Sequence, residues 1–177
     1  MARRDRSRCV CRRRIIPHST CLHEVADRHG MLGSPTWVSS RRIITVGRCL
    51  CGAVSFEVDL PVQSCVNCHC ESCRWQSSAP ITTFIGVSDE QWRWTGKRPK
   101  IYNSSPGIER TFCPNCGSPI SFRSQRMSGA MHFYVCSMEQ PEALSPTLHV
   151  AIEEKLSWLK LADDLPSHVG PDYTKGP

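Results

Sequence analysis

Three cysteines crowd one short stretch in the middle of the chain. Cys68, Cys70 and Cys73 have the spacing C-x-C-x-x-C, and we call them the trio. Thiolates are soft ligands that bind zinc tightly, so three of them on one turn predict a metal site. A structural zinc has four protein ligands, whereas a reactive zinc keeps one position open. The trio therefore predicts a reactive zinc centre with a free fourth position, and its three cysteines are the candidate catalytic residues.

Two further cysteine pairs flank the trio, and we call their four members the tetrad. They lie in the runs Cys49-Leu-Cys51-Gly52 and Cys113-Pro-Asn-Cys116-Gly117. The glycine after the second pair lets the backbone fold tightly, so that its amides can point at the sulfurs. Four thiolates complete a structural zinc site. If the two pairs combine, the chain holds two zinc ions, one structural in the tetrad and one reactive in the trio.

Other interpretations of these cysteines stay open. Disulfides would suit an exported protein, although no signal peptide is visible. The trio could also be a second closed site, completed by His69 or by Cys65. His69 lies between two candidate ligands, however, and is expected to point away from the metal. His132 and His149 lie in apolar segments and are expected to be packed histidines.

The positive charge of the chain is concentrated at its N-terminal end. The net charge is +6, yet residues 1–48 hold eleven arginines and three acidic residues, whereas residues 49–177 hold eleven basic and thirteen acidic residues. A block of like charges with few apolar residues does not fold. We therefore expect an Arg-rich disordered extension over residues 1–42, a zinc-binding domain over 43–168 and a flexible tail over 169–177.

The extension leaves several hypotheses open. It could contact nucleic acid or chromatin, it could be a transit peptide, or translation could begin at Met31. The rest of the chain is nearly neutral and gives no reason to expect nucleic acid. No apolar run approaches the ~20 residues that span a bilayer, so no membrane partner is expected. A cysteine-rich chain without a visible export signal is expected in the cytoplasm.

Short alternating segments predict a mainly β domain of small antiparallel sheets. Residues 53–58 alternate apolar and polar side chains, which is typical of a half-buried strand. Further strands are predicted at 81–87, 91–94, 119–122, 131–135 and 148–152, with a hairpin formed by 100–103 and 109–112. One or two helical turns are expected after the trio, over residues 71–79. The trio would then lie on a turn held by a β framework.

The cysteines stand in one order with characteristic residues around them. These are Gly47-Arg-Cys49-Leu-Cys51-Gly52-Ala-Val, Cys68-His-Cys70-x-x-Cys73-Arg74, Tyr102-Asn-Ser-Ser105, Arg110-x-Phe112-Cys113-x-x-Cys116-Gly117, and finally His149-Val150, Lys155, Trp158 and Asp164-Leu165-Pro166. This pattern, from about residue 45 to 168, resembles the glutathione-dependent formaldehyde-activating enzyme and centromere protein V family. The resemblance implies a β-tent fold with two zinc ions, the structural one on the tetrad and the catalytic one on the trio.

The resemblance also implies a reaction and its substrate. Members join formaldehyde and glutathione to S-hydroxymethylglutathione and reverse that reaction, which makes them carbon–sulfur lyases acting on a thiol–aldehyde adduct. Glutathione carries two carboxylates, and Arg110 beside Cys113 is the candidate to bind one, unless it forms a surface salt bridge. Arg74 and His69 are either donors to the trio's sulfurs or surface charges. The competing hypothesis is a non-catalytic zinc module whose basic arm contacts nucleic acid or chromatin.

Overall fold

The computed structural model describes residues 42–127 and 129–171. Almost all of the predicted extension (1–42), and residues 172–177 of the predicted tail, lie outside the described residues. The hypotheses of a nucleic-acid-binding arm, a transit peptide and a start at Met31 therefore stay predictions.

The described residues are mainly β, as predicted. They form eleven strands and one α-helix, with several single 3₁₀ turns between them. The strands are β1 (Ile44–Arg48), β2 (Ser55–Asp59), β3 (Ser64–Cys68), β4 (Thr82–Ser88), β5 (Trp92–Trp94), β6 (Lys100–Ser105), β7 (Ile108–Phe112), β8 (Pro119–Ser124), β9 (Ala130–Tyr134), β10 (Leu148–Val150) and β11 (Ser167–His168), and the helix is α1 (Glu71–Ser77). No helix among the described residues has the length and apolar character needed to cross a bilayer.

The strands form two sheets. One has three strands in the order β1-β2-β5, and the other has eight in the order β11-β10-β3-β4-β9-β8-β7-β6. Most neighbours are antiparallel, as expected, but β10 pairs in parallel with both β3 and β11. The parallel pairs place Val150 beside Cys68, so the end of the domain returns to the trio.

One face of the eight-stranded sheet packs against the three-stranded sheet. The rings of Phe56 on β2 and Phe133 on β9 stack with centroids 4.1 Å apart. Ile85 on β4 lies opposite Phe133 in the register and belongs to the same buried cluster. Burying one such side chain contributes about 1.5–3 kcal/mol, so this apolar layer stabilises the packing of the two sheets.

The other face of the eight-stranded sheet carries the candidate site. Side chains alternate along a strand, so residues paired in register share a face. Val66 pairs with Phe84, and Phe84 pairs with Tyr134 across β3, β4 and β9. Further along the same face, His132 pairs with Phe122, which pairs with Arg110. Cys68 lies two residues beyond Val66, so the sheet brings Arg110 to the same face as the trio.

Candidate active site

The four cysteines of the tetrad come together. Their sulfur atoms all lie within 4.8 Å of one another, although the two pairs are 62 residues apart in the chain. The sulfurs of Cys49 and Cys51 are 3.5 Å apart, and those of Cys51 and Cys113 are 3.7 Å apart. Zinc–sulfur bonds of ~2.3 Å in a tetrahedron place sulfurs about 3.8 Å apart. The four sulfurs thus fit one zinc ion.

Local backbone geometry presents these sulfurs. Gly52 has φ +75° and Gly117 has φ +74°, a region that favours glycine. Val54 donates its backbone N–H to the Cys49 sulfur at 3.3 Å. The Leu50 N–H donates to Ser118 Oγ at 3.1 Å, so the two cysteine loops contact each other directly. The expected role of Gly117 agrees with its backbone conformation, and Gly52 has the same conformation after the first pair.

The trio forms a second group of sulfurs within 4.8 Å of one another. It lies where β3 ends and α1 begins, on the predicted turn. Cys70 caps the helix, and its sulfur accepts a hydrogen bond from the Cys73 N–H at 3.3 Å. Cys68 and Cys73 are buried and Cys70 is half-buried, so the group faces the interior with one accessible side. Three thiols so close together form a donor set that suits zinc.

Neither residue considered as a fourth ligand joins this group. The Cys65 thiol donates to the Leu144 carbonyl oxygen at 3.3 Å. The His69 Nε2 lies 2.8 Å from His149 Nδ1, so the imidazole points away as expected. Among the described residues, no other His, Cys, Asp or Glu offers an atom within 4.8 Å of all three sulfurs.

Two buried histidines connect the trio to a surface carboxylate. His69 and His149 are 0 and 1% exposed, and His149 Nε2 lies 3.0 Å from the Asp163 carboxylate. The carboxylate only accepts hydrogen bonds, so His149 Nε2 carries the proton and its Nδ1 accepts from His69. This hydrogen bond lowers the pKa of Asp163. His69 therefore braces the turn between Cys68 and Cys70 through a defined chain of contacts.

Arg74 and His69 were predicted to be donors to the trio's sulfurs or surface charges, and they are neither. The Arg74 guanidinium donates to the His69 carbonyl oxygen and, at 2.6 Å, to that of Glu154. His69 is fully buried and pairs with His149. The Arg74 guanidinium thus binds backbone carbonyl oxygens and the His69 ring binds His149. Both residues hold the backbone of the trio's turn instead of donating to its sulfurs.

Contacts among the three thiols change their acidity. The Cys68 contact lowers the pKa of Cys70, and the charge of Arg110 acts in the same direction. Contact with Cys70 and Cys73 raises the pKa of Cys68. One thiolate is therefore easily formed, whereas three adjacent thiolates require a neighbouring cation. This again fits a metal ion.

A cavity of about 560 Å³ opens on the trio and Arg110. Arg110 is 5% exposed, which excludes the expected surface salt bridge as its environment. Its Nη2 donates to Ser72 Oγ at 2.9 Å and its Nε to Ser104 Oγ at 3.2 Å. Its Nη1 is buried without a hydrogen-bond partner among the described residues. The residues that line the cavity include no Asp or Glu.

Other cavity residues were not predicted from the sequence. Phe84 and Phe122 line the cavity, with ring centroids 4.8 Å apart, and His132 stacks on Phe122. Burial lowers the pKa of His132 to about 4, so this packed histidine is neutral at pH 7. The alternation of apolar and polar residues along β8 suggests that Phe122 points inward. Its neighbours on that face depend on the strand register, which the sequence does not show.

Comparisons with known proteins bear on this site. Residues 44–154 match the family model described as glutathione-dependent formaldehyde-activating enzyme. An uncharacterized lyase from Schizosaccharomyces pombe is 39% identical over 83 residues, which are 43% of this chain and 55% of the yeast protein. The chain thus spans about half the length of this curated relative.

A crystal structure of a Rhodobacter sphaeroides protein has a TM-score of 0.46 and 18% identity, covering 69% of this chain and 98% of that one. The family match includes all seven cysteines of the two groups. It extends over more than half of the chain and confirms the resemblance seen in the motifs. The chain belongs to the glutathione-dependent formaldehyde-activating enzyme family.

Proposed function

We propose that this chain is a zinc-dependent carbon–sulfur lyase acting on a glutathione–aldehyde adduct. The reaction is the formation of S-hydroxymethylglutathione from formaldehyde and glutathione, its reversal, or the same reaction of a related thiol. Family membership supports this proposal, and so does the lyase name of the yeast relative. The tetrad is the candidate structural zinc site, and the trio is the candidate catalytic site.

One observation carries the proposal. Arg110 lies beside a three-sulfur group in a cavity, is 5% exposed and has no acidic partner among the described residues. A buried N–H donor without a hydrogen-bond partner costs about 1–3 kcal/mol, and Nη1 of Arg110 is such a donor. A substrate with both a thiol and a carboxylate could place the carboxylate on Arg110 and the thiol beside the trio's sulfurs at the same time. Glutathione meets both conditions.

Each part of the site has a role in this scheme. The trio would hold the zinc, which supplies the positive charge that keeps a nearby thiol ionised. Arg110 binds a carboxylate and orients the thiol, while Ser72 and Ser104 fix its guanidinium. In cleavage, the carbon–sulfur bond breaks, the hydroxyl loses its proton as the carbonyl forms, and the sulfur regains a proton. The walls of the cavity limit water around the reacting carbon.

Equilibrium exchange spectroscopy by NMR tests the reaction. We expect zinc-loaded protein to accelerate exchange between free formaldehyde and S-hydroxymethylglutathione above the uncatalysed rate. Cys70→Ser should remove the acceleration, because it breaks the trio. Cys136→Ser is the matched control, since Cys136 is exposed and belongs to neither cysteine group. An exchange rate equal to that of protein-free solution would contradict the proposal.

A further inference from the structure

The wall of the cavity beside the trio is apolar. Val66 and Phe84 pack in one buried cluster with Cys68 and Cys73, and Phe122 packs against that cluster. The Phe84 and Phe122 rings meet edge to face. These side chains share a sheet face with Cys68 and line the cavity. A group attached to the reacting carbon would therefore lie against aromatic and branched aliphatic side chains.

This wall does not match a hydroxymethyl group. That group is a single carbon with one hydroxyl, which leaves little apolar area to bury against two phenyl rings. It does not match the peptide part of glutathione either, since that part carries several charges, whereas the cations of the described lining are Arg110, which is buried, and Arg126, which is exposed. Ligand sites are commonly apolar with a few placed polar groups, and each polar group there recognises a specific feature.

A second cavity offers a more polar environment for the peptide. It has a volume of about 520 Å³ and shares the turn 105–107 and Gln125 with the first. Asn103, Glu109 and Arg123 are among its lining residues and lie on the sheet face opposite to Arg110 and Phe122. A peptide held by Arg110 would extend over the shared turn towards these charged side chains, which leaves the apolar wall for the aldehyde part.

We propose that the preferred adducts carry an aromatic or branched aliphatic group on the reacting carbon. The inference rests on the proposed function and names its substrate class as hemithioacetals of bulky apolar aldehydes. The chemistry is unchanged: the carbon–sulfur bond breaks with its electron pair on sulfur, the hydroxyl proton leaves, the carbonyl forms and the thiol is protonated. No oxidant or reductant is required.

Two unreactive thioethers test the inference without turnover. S-benzylglutathione and S-methylglutathione share the peptide and differ only in the group that replaces the aldehyde carbon. We expect S-benzylglutathione to bind zinc-loaded protein about 10- to 100-fold more tightly in calorimetry, because one buried phenyl ring contributes on that scale. Equal binding, or no binding of either thioether, would overturn the inference. The exchange experiment with formaldehyde still decides the proposed function separately.

Matched variants locate the preference. Phe122→Ala should lower the ratio of the two affinities about 10-fold, because it removes half of the aromatic wall. Leu148→Ala should keep the ratio, since Leu148 packs on the same cluster but is not part of the cavity lining. Should Phe122→Ala fail to fold, Ile108→Ala at the half-buried rim is expected to lower the same ratio. A ratio unaffected by the rim and wall variants would contradict the proposal.

Discussion

Replacing Arg110 by Met separates a binding role from a structural one. The guanidinium makes hydrogen bonds to Ser72 and Ser104, which would be lost. Each contributes about 1–3 kcal/mol, whereas burying the cation with its unpartnered Nη1 costs several kcal/mol. We therefore expect the free energy of unfolding to stay within about 1 kcal/mol of the wild type or to rise. A charged hydrogen bond to a carboxylate contributes about 1.5–3 kcal/mol, so affinity for glutathione should fall about 10- to 150-fold.

Calorimetric titration with two thiols tests this expectation. Glutathione carries carboxylates and cysteamine has none, so Arg110→Met should weaken the first and leave the second nearly unchanged. Arg93→Met is the control, because Arg93 forms an ion pair with Glu57 at the surface of the three-stranded sheet and lines neither cavity. Two results would refute the reasoning. One is an equal loss for both thiols, and the other is a loss of unfolding free energy above about 2 kcal/mol, the range of one broken buried network.

Three further predictions concern the groups that support the site. The pKa of His132 is about 4 in the folded protein and 6.5 ordinarily, so between these pH values the unfolded chain binds one more proton. The free energy of unfolding should therefore be full above pH 6.5 and fall by about 3 kcal/mol towards pH 4. In urea unfolding, the free energy of His132→Phe should depend less on pH than that of the wild type. His149→Ala should weaken zinc binding by the trio about 10- to 100-fold in chelator competition, because His69 loses its partner; unchanged affinity would contradict the bracing role. Gly117→Ala should lower the free energy of unfolding by about 1–2 kcal/mol in a thermal unfolding experiment. The loss comes from the φ of +74° alone, because no atom lies within 4 Å of the added carbon. An unchanged free energy of unfolding would contradict this backbone strain.

The division of seven cysteines into four and three could be predicted from the sequence. Ligand number and spacing are local properties, and the structure brings together the same two groups. The helical turn after the trio and the hairpin formed by 100–103 and 109–112 depend on equally local signals. They lie at the predicted places, with α1 at Glu71–Ser77 and Gly107 at φ +76°.

Features that depend on distant pairing could not be predicted. Strand β3 (Ser64–Cys68) is covered on both faces, so its residues are buried almost throughout and show no alternation. The hydrogen bond between His69 and His149 joins residues 80 apart and follows from the parallel pairing of β10 with β3. Arg110 is buried because β7 turns that face towards α1, where Ser72 accepts from it. No short window of the chain contains this information.

Metal content measured on purified variants tests the two-site division most directly. Wild-type protein should bind two zinc ions per chain. Cys70→Ser should retain one with an unchanged circular dichroism spectrum, because the tetrad still supports the fold. Cys116→Ser, in contrast, should lose folded structure, since it breaks the site that joins the two distant cysteine loops. If Cys70→Ser retained two ions, or lost both together with its fold, the seven cysteines would not form two independent sites.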